Sequence, residues 1–341
     1  MIGGEHFLPV PASVEHSLGQ LLESELGRVG FFATGRDALA TLLTSLRAPL
    51  IHLPDLMCAS VHNACHAAGK ERAIYRIGTD YLHEPGVDEG WTTPSIVFAM
   101  HYFGIRDDVL MQRARAAGHT VVSDVTHLLF DADGLRETAR QSDYLIASLR
   151  KSGPFPDGGF VSSLAHATVA PRRGPRNDFF ALRAAGLTSR GFSAAHDFND
   201  DENFLLLKQA EEELDDSEPG DFGCSYLSRQ LAHTISVADS SRAIRRNIAV
   251  LRDGLRGRCW VPDRDLVSPY FPCLFSSPGQ RDRIRAALAA RRFFFPVHWP
   301  ATGLPSPSPL AERSLSVPCD ARYGETHMRA ALEVIQSCLP R

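Results

Sequence analysis

Lysine is scarce in this chain: of its 36 lysines and arginines, only Lys70, Lys151 and Lys208 are lysine. Arginine cannot stand in for lysine where the amine must lose its proton and attack a carbonyl. Lys70 lies in a polar turn, Gly69-Lys-Glu-Arg72, and Lys208 in a Glu-rich helical stretch, where either cation would serve. Lys151 is different. It follows the apolar run Tyr144-Leu-Ile-Ala147 and Ser148-Leu-Arg, and a Pro/Gly-rich turn comes after it. There the chemistry could demand a lysine; chance retention is the other reading of the count. An earlier apolar run ends in Asp124, so a carboxylate and an amine both stand at the ends of apolar segments within 123–159. A third group is the turn Thr34-Gly-Arg-Asp37, between a short apolar run and a helical pattern. A strand, a glycine turn and a helix start make a ready anion site, because free N–H groups and the helix dipole converge there. Thr34 or Asp37 acting only as a helix cap is the structural alternative.

These groups need a scaffold, and the hydrophobic pattern supplies one. Apolar strands are expected at 29–33, 49–54, 71–77, 95–100, 119–123, 144–147 and 160–163, with helices at 38–46, 59–68 and 107–117. Strands alternating with helices and apolar on both faces indicate a mostly parallel sheet covered on both sides. Ligands of such sheets gather at the carboxyl ends of the strands. That rim would hold Thr34-Gly35, residues 54–59, His101-Tyr102, residues 124–127 and residues 148–151. Further on, 171–190 is strongly basic, read as a solvated helix and loop or as a contact for an anionic substrate or a partner. An acidic helix (200–216), a break at 217–221 and one long helix over 225–255 follow. Strands at 271–275, 293–297 and 315–317, helices at 280–291 and 325–338, and a Pro/Ser loop at 300–309 suit a small α+β domain. The division expected is a large domain over 1–245 and a small one over 246–341.

Composition narrows the class. A chain of 341 residues with 44% hydrophobic and 22% charged content is an ordinary globular protein. A net charge of −4 argues against a general nucleic-acid binder. Seven cysteines without a C-x-x-C pair suggest a reducing compartment and neither a disulfide framework nor a zinc site. No signal-peptide pattern opens the chain, and no apolar run approaches a membrane span. A soluble cytoplasmic enzyme is expected, with no metal.

A lysine amine, an aspartate at a neighbouring strand end and an anion-binding helix start are what pyridoxal phosphate (PLP) requires. The lysine carries the aldehyde as a Schiff base and moves protons, the aspartate keeps the pyridine nitrogen protonated, and the helix start holds the phosphate. Ser148 could add a hydroxyl to that phosphate.

The chain resembles the fold-type-I PLP enzymes, and within them the DegT/DnrJ-type sugar aminotransferases. Thr34-Gly-Arg-Asp-Ala-Leu39 is similar to the family's S-G-T-x-A-L turn, Leu53-Pro-Asp-Leu-Met-Cys58 to V-P-x-x-T-F, and His101-Tyr-Phe-Gly104 to H-x-Y-G. Ser123-Asp-Val-Thr-His127 resembles E-D-x-A-Q, and Lys151 with Pro156-Asp-Gly-Gly159 resembles the family lysine and its Gly-Gly. Ala243-Ile-Arg-Arg-Asn247, Val297-His-Trp-Pro300 and residues 315–320 are similar to its C-terminal half. The resemblance implies an aspartate-aminotransferase-like α/β fold, a homodimer, PLP on Lys151, Asp124 at the pyridine nitrogen and His127 near the ring hydroxyl. It places Gly35, Arg36, Asp37, Cys58, His101 and Ser148 around the cofactor. It further implies transamination from an amino donor such as glutamate to a keto acceptor, a keto-sugar in the family. Four departures stand out: Met57 and Cys58 replace the ring-stacking aromatic, Arg36 replaces a small hydroxyl residue, His127 replaces Gln, and Gly223-Cys-Ser-Tyr226 only faintly echoes G-Y-N-x-R. Stacking would fall to His101, Tyr102 or a sulfur contact, and Arg36 could supply charge to the phosphate directly. Elimination, decarboxylation or condensation on an amino acid is the alternative outcome with the same cofactor. A silent cofactor- or partner-binding protein is the alternative from another class, and retention of Asp124 and Lys151 argues against it.

Overall fold

The computed structural model describes residues 12–196, 202–300 and 308–339. Seven segments form one sheet: β1 (Arg28–Phe32), β2 (Leu50–Pro54), β3 (Glu71–Tyr75), β4 (Ser95–Met100), β5 (Thr120–Asp124), β6 (Tyr144–Ser148) and β7 (Gly159–Ser163). Their order is β1-β7-β6-β5-β4-β2-β3. Neighbours from β6 through β3 pair in parallel, while β7 runs antiparallel to both β6 and β1. All six residues of β4 are buried, as befits a strand covered on both faces.

Helices α1 (Leu18–Glu25), α2 (Gly35–Ser45), α3 (Ala59–Ala67), α4 (Asp108–Ala116) and α5 (Ala132–Gln141) precede or connect these strands. Ser17, Thr34, Asp107 and Asp131 cap α1, α2, α4 and α5 with their side chains. The hydrophobic pattern does not announce α1 or α5. The first is eight residues held by a Ser17–Gln20 capping box, and the second buries only Gly134, Leu135, Thr138 and Ala139.

A helical hairpin follows the sheet, α6 (Asn177–His196) and α7 (Glu202–Asp215), then α8 (Tyr226–Ala232) and α9 (Val237–Leu255). The single helix expected over 225–255 is thus two. Helix α8 closes at His233, Ser236 starts α9 by accepting from Asp239 N–H, and the gap is filled by the N-terminal segment through Leu18 N–H to Ile235 O at 2.9 Å. The second sheet pairs β8 (Tyr270–Leu274) with β9 (Ser314–Pro318), antiparallel. Around it lie α10 (Pro278–Ala290), α11 (Leu310–Arg313) and α12 (Glu325–Ser337). The strand expected at 293–297 is only an extended segment. Ser316 N–H reaches Pro296 O at 3.1 Å, and Pro296 has no N–H with which to continue a ladder. Most of the loop expected at 300–309 lies outside the described residues. One hydrophobic core joins both sheets, from Phe98 and Val122 to Phe271 and Leu315. Among the described residues no helix is long and apolar enough to cross a membrane.

The loop between β3 and β4 is tied down by one buried polar pair. His83 places its backbone N–H (2.9 Å) and its ring Nδ1 (2.8 Å) on the Asp107 carboxylate, which also accepts from Leu110 N–H at the start of α4. The hydrogen bond to Asp107 raises His83 above its ordinary value, against the effect of burial. Burial opposes ionisation of Asp107, but the bonds from His83 and Leu110 outweigh it and hold the carboxyl below the usual range. A raised histidine stabilises the fold fully below its unfolded value and loses that contribution as pH climbs through the folded one. The depressed aspartate contributes above its unfolded value and fails only in acid. His83→Asn should therefore melt a few degrees below the wild type near about pH 5.5, with the gap narrowing toward about pH 9. Paired thermal melts across that range measure it, and a gap independent of pH would remove the ion pair from the account.

Candidate active site

At the rim of the large sheet the exits of β5 and β6 are bonded to each other. Asp124 ends β5, and one of its oxygens accepts the Thr126 N–H at 2.9 Å. The Thr126 hydroxyl accepts Ser148 N–H (3.0 Å), and its carbonyl accepts the Ser152 hydroxyl (2.8 Å). Threonine 126 thereby fixes the single 3-10 turn Leu149–Lys151 beside Asp124. The Lys151 amine is exposed and has no hydrogen-bond or ion-pair partner among the described residues, yet its charge is felt by Asp124, His127 and His298. The other lysines have ordinary duties. Lys70 donates to Leu46 O (2.6 Å) and Ala48 O (2.9 Å) behind α2, and Lys208 pairs with Glu212 on the surface. Asp124 is half-buried and faces this crevice. Burial pushes its carboxyl up, and the Thr126 bonds and Lys151 only partly offset that.

The first turn of α2 closes another side. A Cβ on Gly35 would stand 3.1 Å from the Ser148 Cβ, and a Cβ on Gly159 would stand 2.4 Å from the Gly35 nitrogen. Gly158, at φ +121°, lets its N–H reach Ala33 O at 2.6 Å. Glycines thus bring the helix start against the end of β6. Gly35 and Arg36 N–H have no partner within the helix, and beside them Ser148, a residue 7% exposed, has a hydroxyl without a partner among the described residues. Free amides, a helix dipole and a hydroxyl make a cradle for a phosphate.

Two side chains expected there are committed elsewhere. Arg36 does not point its guanidinium at the cradle: it donates to Leu214 O and, at 3.1 Å, to Ser217 O beyond the end of α7. Asp37 is fully buried, accepting from Thr34 (2.8 Å), Arg176 (2.7 and 3.0 Å) and Gly220 N–H (2.9 Å). Only the backbone of Arg36 faces the cradle. His101 is 0% exposed, with both ring nitrogens unpartnered among the described residues, and burial brings it down to about 4. Cys58 caps the start of α3, half-buried, with its sulfur 2.9 Å from the Ser60 hydroxyl. Tyr102 is buried and donates to Leu56 O at 2.6 Å.

The wall facing Lys151 consists of aromatic rings and imidazoles from both sheets. His127 Nδ1 accepts the Phe103 N–H at 3.1 Å, so its proton sits on Nε2. Burial, His298 and Lys151 hold His127 well below the ordinary histidine value. His298 shares a hydrogen bond with the Ser316 hydroxyl (2.7 Å), and burial and Lys151 push it down to about 3. Both imidazoles are neutral. Tyr270 lies 4.6 Å from the His298 ring and 5.6 Å from that of His127, and its hydroxyl donates to the Lys151 carbonyl at 3.2 Å. Phe103 and Trp299, 5.4 Å apart, both adopt left-handed backbone (φ 55° and 52°), a strained state for such residues. Phe103, Tyr270, His298 and Trp299 were not singled out from the sequence. The V-H-W-P string was the only hint of the last two, and nothing local marks Tyr270.

No protein-family model matches the chain, and no curated protein matches it in sequence. Its fold, however, is found in solved structures. PseC of Helicobacter pylori, an aminotransferase involved in the biosynthesis of pseudoaminic acid, superposes with a TM-score of 0.64 at 11% identity, covering 94% of this chain and 88% of PseC. A DegT DnrJ EryC1 StrS aminotransferase from Brucella abortus gives 0.61 at 17%, over 95% and 88%. SPT, solved with PLP, gives 0.59 at 16%, over 94% and 75%. At such identities the likeness is one of fold, and the fold is the fold type I architecture expected from the sequence.

The glycine contacts give a direct check on the cradle. Gly159→Ala forces a methyl group into the backbone of Thr34 and Gly35 and should cost about 3 kcal/mol. Gly174→Ala meets nothing within 4 Å and should leave stability unchanged. Urea unfolding of the two variants measures the difference; a wild-type midpoint for Gly159→Ala would mean that α2 does not sit against β7 in this way.

Proposed function

We propose that this chain is a PLP-dependent aminotransferase that takes an amino group from a donor such as glutamate and passes it to a keto acceptor. The observation that carries the reading is the unpartnered Lys151 amine, set beside Asp124 by Thr126 and facing the glycine-lined start of α2. PLP, when bound, supplies an electron-withdrawing ring that stabilises negative charge at the substrate α-carbon. Gly35 and Arg36 N–H and the Ser148 hydroxyl would bind its phosphate. The Asp124 oxygen not held by Thr126 would keep a proton on the ring nitrogen, whose positive charge would in turn favour the ionised carboxylate over the neutral form that burial promotes. His127, with its proton on Nε2, would donate to the ring oxygen, and its neutral state leaves Lys151 without a competing cation. Lys151 Nζ would hold the aldehyde and, as the free amine of the crevice, would carry a proton to or from the substrate α-carbon. Phe103, Tyr270, His298 and Trp299 would form an aromatic wall beside that amine, with the Tyr270 hydroxyl on the Lys151 carbonyl.

A keto-sugar is the acceptor class we favour, because proteins of similar fold include one of Streptococcus pneumoniae assigned as a sugar aminotransferase and DesI, solved in the presence of its TDP-sugar product. The reading carries with it a homodimer and the two-part division at 245/246 expected from the sequence.

Purified protein supplied with PLP should show a visible absorption band that Lys151→Ala abolishes, and glutamate should bleach it. Asp124→Asn should lower turnover by about a hundredfold or more. Absence of any band in the wild type defeats the cofactor assignment. A band that survives a panel of amino donors defeats transamination.

A further inference from the structure

Both ends of the α6–α7 hairpin converge on the two turns that form the crevice. Before α6, Arg176 forks onto Asp37 in the first turn of α2, at 2.7 and 3.0 Å, and reaches the Ser217 hydroxyl (2.9 Å) and Glu218 O (2.6 Å). After α7, Leu214 O and Ser217 receive Arg36, and Gly220 N–H returns to Asp37. On the lysine side, Glu211 of α7 accepts from Arg150 (2.7 Å), the residue before Lys151, and from Arg183 of α6 (2.9 Å), which also holds Pro156 O. Asp37 is 0% exposed and the Arg176 side chain 9%, so this pair is shielded from solvent and poorly screened.

From this arrangement we infer that the hairpin is a clamp that sets the phosphate subsite, with Asp37 and Arg176 as positioning residues. The inference rests on the PLP reading above. Neither side chain is directed at the cradle; each fixes the turn whose backbone N–H groups line it. A carboxylate in the first turn of α2 would repel an incoming phosphate if it were free, and a bidentate arginine removes that repulsion while anchoring the turn to the hairpin. Ser148, a residue 7% exposed whose hydroxyl has no partner among the described residues, has its Cβ against the same turn and would offer that hydroxyl to an anion received there. The subsite is therefore the point through which the hairpin acts on cofactor binding.

The test compares two aldehydes on the apo full-length protein: PLP, and pyridoxal, which lacks the phosphate. Their dissociation constants are read from the absorption band for the wild type, Arg176→Met, Arg176→Lys and the isosteric Asp37→Asn. Arg176→Met and Asp37→Asn should weaken PLP about tenfold or more and leave pyridoxal unchanged, so the preference for the phosphorylated form falls by the same factor. Arg176→Lys, which keeps the charge and loses the fork, should fall between. An unchanged preference in the folded variants overturns the clamp while leaving the cofactor assignment standing. Equal weakening of both aldehydes also overturns it, since that is the mark of general damage. If the wild type binds neither aldehyde, the cofactor assignment has failed and the clamp with it. Should Arg176→Met not fold, Asp37→Asn, with no change of volume, decides alone.

Discussion

The crevice depends on a close approach that only glycine allows. With any side chain at 159, the first turn of α2 could not lie against the start of β7, and Gly35 would lose its contact with Ser148. The same approach aligns two kinds of group that sequence keeps far apart: the amides of a helix start and the hydroxyl and amine at the exit of β6. Thr126 does the matching work on the other flank, bonding Asp124, Ser148 and Ser152 into one unit. Since β4, β5 and β6 are parallel and in register, their exits fall on one rim, and a small number of short contacts suffices to arrange it.

Electrostatics inside the crevice follow from burial more than from pairing. Desolvation drives His127 and His298 to the neutral form and makes them hydrogen-bonding walls. It also raises Asp124, so the ionised carboxylate is favoured only when a positive charge stands beside it. Lys151 is the cation those three groups share. A site with one amine, one carboxyl poised to ionise and neutral imidazoles is suited to holding protons on a bound ring and moving them at a bound substrate.

Much of this was legible because it is local. The strand exits, the glycine turn, Asp124, Lys151 and Gly158-Gly159 are short-range patterns, and periodicity located all seven strands of the large sheet. What escaped depends on long-range partners. Arg36 looked like a phosphate ligand because its neighbours in sequence suggest one; its partners Leu214 and Ser217 lie 178 and 181 residues away. Asp37 read as a cap or a cofactor contact, and its partner Arg176 is 139 residues distant. His101 stands at a strand exit as expected, and its complete burial there is set by packing that the local pattern does not show. The break between α8 and α9 was invisible for a related reason: the N-terminal segment, not any Pro or Gly, fills it.

Phe103 and Trp299 show how the two sheets share responsibility for the site. Each aromatic holds a left-handed backbone that costs on the order of 1–3 kcal/mol, so each must be held by its surroundings. Phe103 is held by its N–H on His127 and by packing edge-on to Tyr81 (5.1 Å). Tyr81 is in turn anchored through its hydroxyl to Ser314, the first residue of β9 (2.8 Å). Trp299 packs against Tyr102 (5.0 Å) and next to His298, whose ring is fixed by Ser316 in the same strand. The two strained turns therefore lie one at the β4 exit and one on the segment after α10, and both are braced by contacts that lead to β9. That arrangement makes the wall a joint product of both sheets: the Phe103 N–H that sets the His127 tautomer sits on a turn packed against Tyr81, and Tyr81 is bonded to the first residue of β9.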